Sequence, residues 1–287
     1  MIEDGLKTVR TVADLRDAVR AWRADGDSVG LVTTMGALHA GHLSLVKTAA
    51  SRCDRVVATI FVNPTQFNDP SDLDKYPRRE DEDAGALMAA GTNLLFAPSA
   101  DEMYPEAFDT TVSVGALSAG LEGGHRPGHF DGVATVVCKL LLQSMPDIAF
   151  FGEKDYQQLR VVTRMSADLN IPTEIQGVPT VREADGLAMS SRNEHLTAAE
   201  REIAPALAQA LHRVAEAVAA GQAAGPVVEQ ATADLLSAGF QTVDYIAVCD
   251  ASTLKPLDRL SPGTPARVLA AANLGAVRLI DNIAVGG

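Results

Sequence analysis

Apolar positions along the chain follow two periods, and elements end where the period changes. Val12, Leu15, Val19 and Trp22 recur at helical intervals and predict an opening helix, closed at Asp25-Gly26-Asp27. Val29 to Val32 is a short unbroken apolar run, β-branched enough to predict a buried strand. Helical spacing returns with Leu43, Val46 and Ala50. The exchange then repeats. Strands are predicted at Arg55–Val62, Asn93–Ala97, Asp147–Phe151 and Pro172–Val178, with helices opening at Glu80, spanning Gly132–Met145, and following Gly152 as far as Asn170. Strand runs that are continuous rather than alternating imply a sheet covered on both faces, as parallel sheets are. Thr110–Val114 does alternate and is expected as an edge strand. The acidic run Glu80–Asp83 is expected to be a solvated first turn rather than a metal site, since carboxylates suit the positive end of the helix dipole.

After Pro179 the texture changes. Val181–Asn193 is polar and looped, and Ala-rich helices are expected at Thr197–Ala220 and Pro226–Ala238. Thr197 with Glu200 reads as a capping box, and Gly221–Gly225 as a linker. Strands are expected at Gln241–Cys249, Ala266–Ala272 and Ala276–Ile280. The chain is therefore expected to hold an α/β domain over residues 1–179 and a smaller C-terminal α+β domain over residues 180–287 that closes over the site.

Composition narrows the function. The 287 residues are 47% hydrophobic and 21% charged, enough to bury a substantial core. A net charge of −13 argues against nucleic acid or an anionic membrane as partner, because phosphate surfaces need compensating cations. Any anion site must then be local. The 3 cysteines form no Cys-x-x-Cys pair and are expected to be reduced and packed, in a cytoplasmic protein. The first residues lack the basic start and apolar run of a secretory leader, and no apolar span is long enough to cross a bilayer.

Four polar stretches carry the candidate chemistry: Met35–His42, Asn63–Gln66, Gly152–Gln158 and Met189–Arg192. Three of them directly follow a predicted strand, where open α/β sheets hold ligands. In the first, two glycines allow close backbone approach, and His39 and His42 share one side of a helix start whose unpaired amides favour an anion. Two imidazoles beside such a site suit a phosphate whose charge grows during reaction. Taken alone, the stretch has two alternatives: a structural strand–turn–helix with two surface histidines, and a zinc pair, which would lack third and fourth ligands nearby. Lys154 and Arg192 can neutralise phosphate oxygens, Ser190 and Ser191 add hydroxyl donors, and Asp155 can accept from a ribose hydroxyl. Gln66 and Gln158 suit a hydroxylated carboxylate. The polar loop Asn68–Arg79 is a candidate lid. His125, Arg126 and His129 lie in a glycine-rich loop, where ligand contact and plain loop polarity explain them equally.

The stretch Thr34–His42 resembles the histidine signature of nucleotidyltransferases related to class I aminoacyl-tRNA synthetases. Together with Phe61–Phe67, Gly152–Gln158, Arg182–Ala188 and Met189–Asn193, in that order, it resembles the pantoate–β-alanine ligases over nearly the whole chain. Thr33 stands where that family usually has Pro, which leaves the turn less rigid. The resemblance implies a Rossmann-like domain plus a smaller C-terminal domain, a homodimer, and ATP-dependent joining of pantoate to β-alanine with release of AMP and diphosphate. It implies ATP contacts from Met35, Gly36, Ala37, Leu38, His39, Ala40, Gly41 and His42, from Gly152, Glu153, Lys154 and Asp155, and from Val181, Met189, Ser190, Ser191 and Arg192. His42 would act on the phosphates with His39, Lys154, Arg192 and Mg²⁺, the metal being carried mainly by ATP. Gln66 would meet pantoate and β-alanine, Gln158 pantoate, and Asn63 would assist. Another nucleotidyltransferase of the superfamily is the main rival; an RNA-binding module is disfavoured by the acidic balance.

Overall fold

The computed structural model of the chain describes residues 5–68, 73–74, 76–261 and 263–286. The chain divides into two compact units, Met1–Glu153 with Val161–Pro179, and Lys154–Arg160 with Thr180–Gly287.

The first unit is built on a parallel sheet. Strands β1 (Thr8–Val9), β2 (Val29–Thr34), β3 (Arg55–Ile60), β4 (Leu94–Phe96), β5 (Ile148–Gly152) and β6 (Glu174–Val178) lie in the order β1-β4-β3-β2-β5-β6. Every neighbouring pair is parallel. The chain runs outward from β2 through β3 to β4, then returns to set β5 against the other side of β2. The strand order thus reverses between β2 and β5, the switch point where such sheets open a crevice for ligands. Thr34 pairs with Ile60 and Val32 with Phe150, so β2, β3 and β5 send their carboxyl ends to one edge.

Consecutive strand residues are buried on both faces: Val29, Leu31, Val32, Leu94, Leu95 and Phe96 are each at most 1% exposed. The helix Ala40–Arg52 buries Leu45, Val46 and Ala49 in the same cluster as Val32, Ala58 and Phe150. Each fully buried Leu or Phe is worth roughly 1.5–3 kcal/mol, so the sheet is a rigid base for the loops at its edge.

Two expectations for this unit are corrected. Thr110–Val114 is not an edge strand. Its polar groups are taken by a helix instead: Val112 N donates to Thr135 Oγ1 at 2.9 Å, and Ser113 Oγ donates to Asp131 Oδ1 at 2.7 Å. The acidic turn does open a helix, Glu80–Ala90, but it is not wholly solvated, because Asp83 is only 5% exposed. The candidate lid at 68–79 lies partly outside the described residues, at 69–72 and 75.

In the second unit β7 (Thr242–Asp250), β8 (Ala266–Leu274) and β9 (Val277–Val285) form an antiparallel sheet in sequence order. Leu207, Leu211, Val214 and Leu235 from the helices Ala206–Ala219 and Ala224–Ala238 share a core with Val268, Ala270 and Ala272 of β8. The capping box forms as read: Thr197 N donates to Glu200 Oε2 at 2.8 Å, and Glu200 N to Thr197 Oγ1 at 3.3 Å. The helix expected over Thr197–Ala220 is two helices, Ala198–Ile203 and Ala206–Ala219. Pro205, which has no amide hydrogen to continue the first, stands at the start of the second.

Residues 154–160, expected within the first domain, group with the second unit. Tyr156 OH donates to Ala251 O at 2.9 Å, Arg160 Nε to Ser252 O at 3.3 Å, and the Arg267 guanidinium sits 3.9 Å from the Tyr156 ring centroid. No helix among the described residues is long and apolar enough to cross a membrane.

Cys53, Cys138 and Cys249 are free thiols and all buried. Burial raises all three, and brings Cys249 to about 11. A thiol buried and protonated is a poor nucleophile. Native protein at pH 8 should therefore react with an aromatic disulfide reagent many-fold more slowly than protein in denaturant. Rapid labelling of the native thiols would contradict this packing.

Candidate active site

The turn between β2 and the helix Ala40–Arg52 is held by groups distant in sequence. Thr34 Oγ1 donates to Thr59 O at 2.6 Å and accepts from Gly36 N at 3.2 Å. The chain then takes two positive φ angles, 85° at Gly36 and 52° at Ala37. This contortion presents two consecutive amides to one carboxylate. Ala37 N donates to Asp83 Oδ2 and Leu38 N to Asp83 Oδ1, both at 2.9 Å.

His39 caps the helix, and the two histidines lock each other. Gly41 N donates to His39 Nδ1 at 3.1 Å, His39 N donates to His42 Nδ1 at 3.3 Å, and the ring centroids are 4.1 Å apart. Glycine at position 41 makes room for this cap, because a Cβ there would lie 2.7 Å from His39 Cε1 and push the ring away. Both imidazoles accept at Nδ1, so each neutral ring carries its proton on Nε2. Fewer amides are open at this helix start than expected: Gly36, His39 and Gly41 donate within the turn, and Ala37 and Leu38 donate to Asp83. Met35, Leu38 and His39 are half-buried, as is His42, while Ala40 is exposed.

Gln66 lies against this turn. Its Nε2 donates to Met35 Sδ at 3.0 Å, and its Oε1 accepts from Asn63 Nδ2 at 3.0 Å. A thioether is a weak acceptor, so that N–H can be transferred to a carboxylate or hydroxyl. Asn63 is only 1% exposed; its Oδ1 accepts from Tyr104 OH at 2.8 Å and Thr65 Oγ1 at 3.0 Å, and its Nδ2 also reaches Gly132 O at 3.2 Å. With these bonds in place, Asn63 acts by holding Gln66. Burial raises the Tyr104 phenol above its ordinary range, which keeps it protonated as that donor.

His129 and Arg126 complete the support. The Gln66 carbonyl accepts from Arg126 Nη2 at 3.3 Å and lies 2.9 Å from His129 Nδ1. Arg126 Nη1 is 3.2 Å from His129 Nε2, and a guanidinium can only donate. His129 therefore accepts at Nε2 and donates at Nδ1. These residues belong to no expected ATP or substrate motif; here they fix the backbone beneath Gln66. The helix His129–Ser144 approaches so closely that a Cβ on Gly132 would lie 2.4 Å from Thr65 O.

The other candidate residues lie in the second unit or lead directly into it. Gly152 ends β5, Glu153 follows, and Lys154 and Asp155 complete one 3-10 turn. Lys154 Nζ is 3.9 Å from Asp155 Oδ1, and the Lys154 carbonyl accepts from Asn282 Nδ2 at 2.9 Å. Gln158 is half-buried near the start of the next helix. Val181 O accepts from Met189 N at 3.0 Å, and Arg182 pairs with Ala188 across a short bridge. Arg182 is anchored to Asp281 by two bonds of 2.7 and 2.9 Å. Arg201 binds Glu183 and Asp185, both at 2.6 Å, and this lowers the Asp185 carboxyl below its ordinary value. Ser190 caps the 3-10 turn Ser191–His195, with Arg192 exposed on it.

The structure thus gathers Met35–His42 with Asn63 and Gln66 in one unit, and places Lys154, Asp155, Gln158, Val181 and Met189–Arg192 in the other. Sequence patterning did not single out Asp83, Tyr104, Gly132, Asp281 or Asn282. For Asp83 the only signal is an acid at the apolar-facing position of an otherwise charged first turn. Among the described residues no group of three or more His, Cys, Asp or Glu side chains is placed to hold a metal ion.

The profile of the family described as pantoate-beta-alanine ligase matches residues 7–284. The chain is 59% identical to a pantothenate synthetase of Paramagnetospirillum magneticum over 277 residues, 96% of this chain and 97% of that one. Its fold is similar to the crystal structure of pantothenate synthetase from Thermus thermophilus, with TM-score 0.86, 46% identity, and coverage of 97% and 99% of the two chains. It is also similar to a pantoate-beta-alanine ligase from Francisella tularensis, solved in complex with β,γ-ATP and β-alanine, at TM-score 0.81, 35% identity and 97% coverage of each chain. By these matches along almost its entire length, the chain belongs to the pantoate–β-alanine ligase family.

Proposed function

We propose that this protein condenses pantoate with β-alanine at the expense of ATP, through a pantoyl adenylate, with release of AMP and diphosphate. Membership of the ligase family supports the reaction class. The observation that carries the residue-level reading is the pairing of His39 and His42 beside Gln66, whose side-chain N–H donates to a thioether.

In the first step a pantoate carboxylate oxygen attacks the α-phosphorus and the bond to diphosphate breaks. The protein aligns two anions and compensates the charge that builds between them. His42 and His39 donate through Nε2, with His42 the proton donor to the phosphates. Lys154 and Arg192 supply fixed positive charge, and Ser190, Ser191 and Asp155 hold the nucleotide. Gln66 and Gln158 orient pantoate. In the second step the neutral amine of β-alanine, placed with the help of Gln66, attacks the acyl carbon; the carboxyl–phosphate bond breaks, AMP leaves and the amine loses a proton. Mg²⁺ would be carried mainly by the ATP phosphates and would offset their charge. The working form is a homodimer in the cytoplasm, a setting that suits three free thiols.

The test is to supply ATP, Mg²⁺, pantoate and β-alanine, then omit each in turn. AMP release should turn over only when both organic substrates are present. Release independent of pantoate, or a product that retains the nucleotide, would favour another nucleotidyltransferase activity. Sedimentation should give twice the chain mass. Gln66→Ala should raise KM for pantoate and β-alanine about tenfold with little change for ATP, since it removes a hydrogen bond to a charged group. A change confined to ATP would reverse the assignment.

A further inference from the structure

We infer that Asn282, on the last strand, is a positioning residue for Lys154 and ties both ATP-contacting segments of the second unit to one point. The inference rests on the ATP roles proposed above for Lys154 and for Met189–Arg192.

Asn282 is 4% exposed, and each end of its amide has a fixed partner. Nδ2 donates to the Lys154 carbonyl at 2.9 Å, and Oδ1 accepts from Arg267 Nη1 at 2.7 Å. A guanidinium has no acceptor, so the amide can be oriented only this way. The Arg267 guanidinium itself sits 3.9 Å from the ring centroid of Tyr156, two residues beyond Lys154. The backbone carbonyl of Asn282 accepts from Arg182 Nη2 at 3.2 Å, and the neighbouring Asp281 takes the same guanidinium in two further bonds.

Arg182 begins the arm that returns through Ala188 to Met189–Arg192, and its Nη1 also reaches Gly186 O at 3.0 Å. The side chain of Asn282 therefore holds the Lys154 turn, while its main chain and Asp281 hold the arm. Lys154 itself has a loose local restraint, an ion pair at 3.9 Å to an exposed Asp155. The carbonyl clamp is what fixes where its stem starts. A lysine that begins displaced must reorganise to meet a phosphate, which weakens the bound state.

The experiment compares Asn282→Ala and Asn282→Asp with the parent, each alone and in a Lys154→Ala background. Asn282→Asp keeps the size and the acceptor toward Arg267 but sets an acceptor against the Lys154 carbonyl. It remains informative if the alanine variant folds poorly. ATP affinity is read by calorimetry, and KM and kcat by AMP release, with thermal melts alongside. Both variants should weaken ATP binding about tenfold, the scale of one hydrogen-bonded contact to a charged ligand. KM for β-alanine should stay near the parent value. In the Lys154→Ala background the same substitutions should add little, because the group they position is gone.

Unchanged ATP affinity in Asn282→Asp would overturn the inference, as would an equal loss with and without Lys154, which would mark Asn282 as merely structural. Calorimetry needs no turnover. A parent protein that binds ATP but makes no pantothenate would defeat the proposed reaction and leave this test intact.

Discussion

Replacing His42 by alanine should lower kcat about 10²-fold, equivalent to about 3 kcal/mol, the cost of removing one preorganised donor from a developing charge. The reason lies in how the turn is built. His42 accepts from the His39 amide at Nδ1, and this leaves Nε2 to carry the proton. A ring whose tautomer is set before substrate arrives needs no reorganisation during the reaction. Alanine also removes the acceptor for the His39 amide and the ring 4.1 Å from His39, so His39 should be misplaced in part. The effect should fall on adenylate formation, seen as lost pyrophosphate exchange, with ATP affinity reduced less than kcat. The fold should persist, because His42 lies outside the buried cluster of its helix. Wild-type exchange in His42→Ala would remove the histidine from the chemistry.

Asp83→Ala should be nearly as damaging, though Asp83 touches no substrate in this reading. Its carboxylate is the acceptor for the Ala37 and Leu38 amides, and at 5% exposure water is a poor replacement. Leaving a buried donor unmade costs about 1–3 kcal/mol, and here there are two. The turn they hold contains a non-glycine residue at positive φ, a conformation that persists only while its surroundings enforce it. We therefore expect a melting temperature lower by several degrees and activity reduced about 10²-fold, since a small displacement of positioning groups is costly. Asp83→Asn, which can accept from one amide but opposes the other with its own NH₂, should fall between. A variant with wild-type melting and activity would show that the turn stands without this clamp.

The sheet and most helices were readable because burial imposes a period on the sequence. Val29–Val32 and Asp147–Phe151 are apolar almost throughout since both faces of the sheet are covered. The motif stretches were readable because loops at strand ends keep chemistry-bearing residues in short contiguous runs. Reading failed where a local pattern had a distant partner. Thr110–Val114 alternates like a strand but gives its amide to Thr135. The acidic first turn of Glu80–Ala90 looks solvated, yet one carboxylate of four turns inward. Thr197–Ala220 keeps helical spacing across Pro205, which nonetheless divides it.

By itself, then, the sequence determined the fold class, the placing of polar loops after strands, and the histidine, glutamine and lysine positions on which the proposed chemistry rests. Tertiary structure alone decided what holds them. Asp83 meets Ala37 across 46 residues, His129 meets Gln66 across 63, and Asn282 meets Lys154 across 128. Periodicity records whether a side chain faces the core, a property of its own element. It carries no record of which distant group it will meet there, and for a buried polar side chain that partner decides whether it serves as a clamp or stands as a cost.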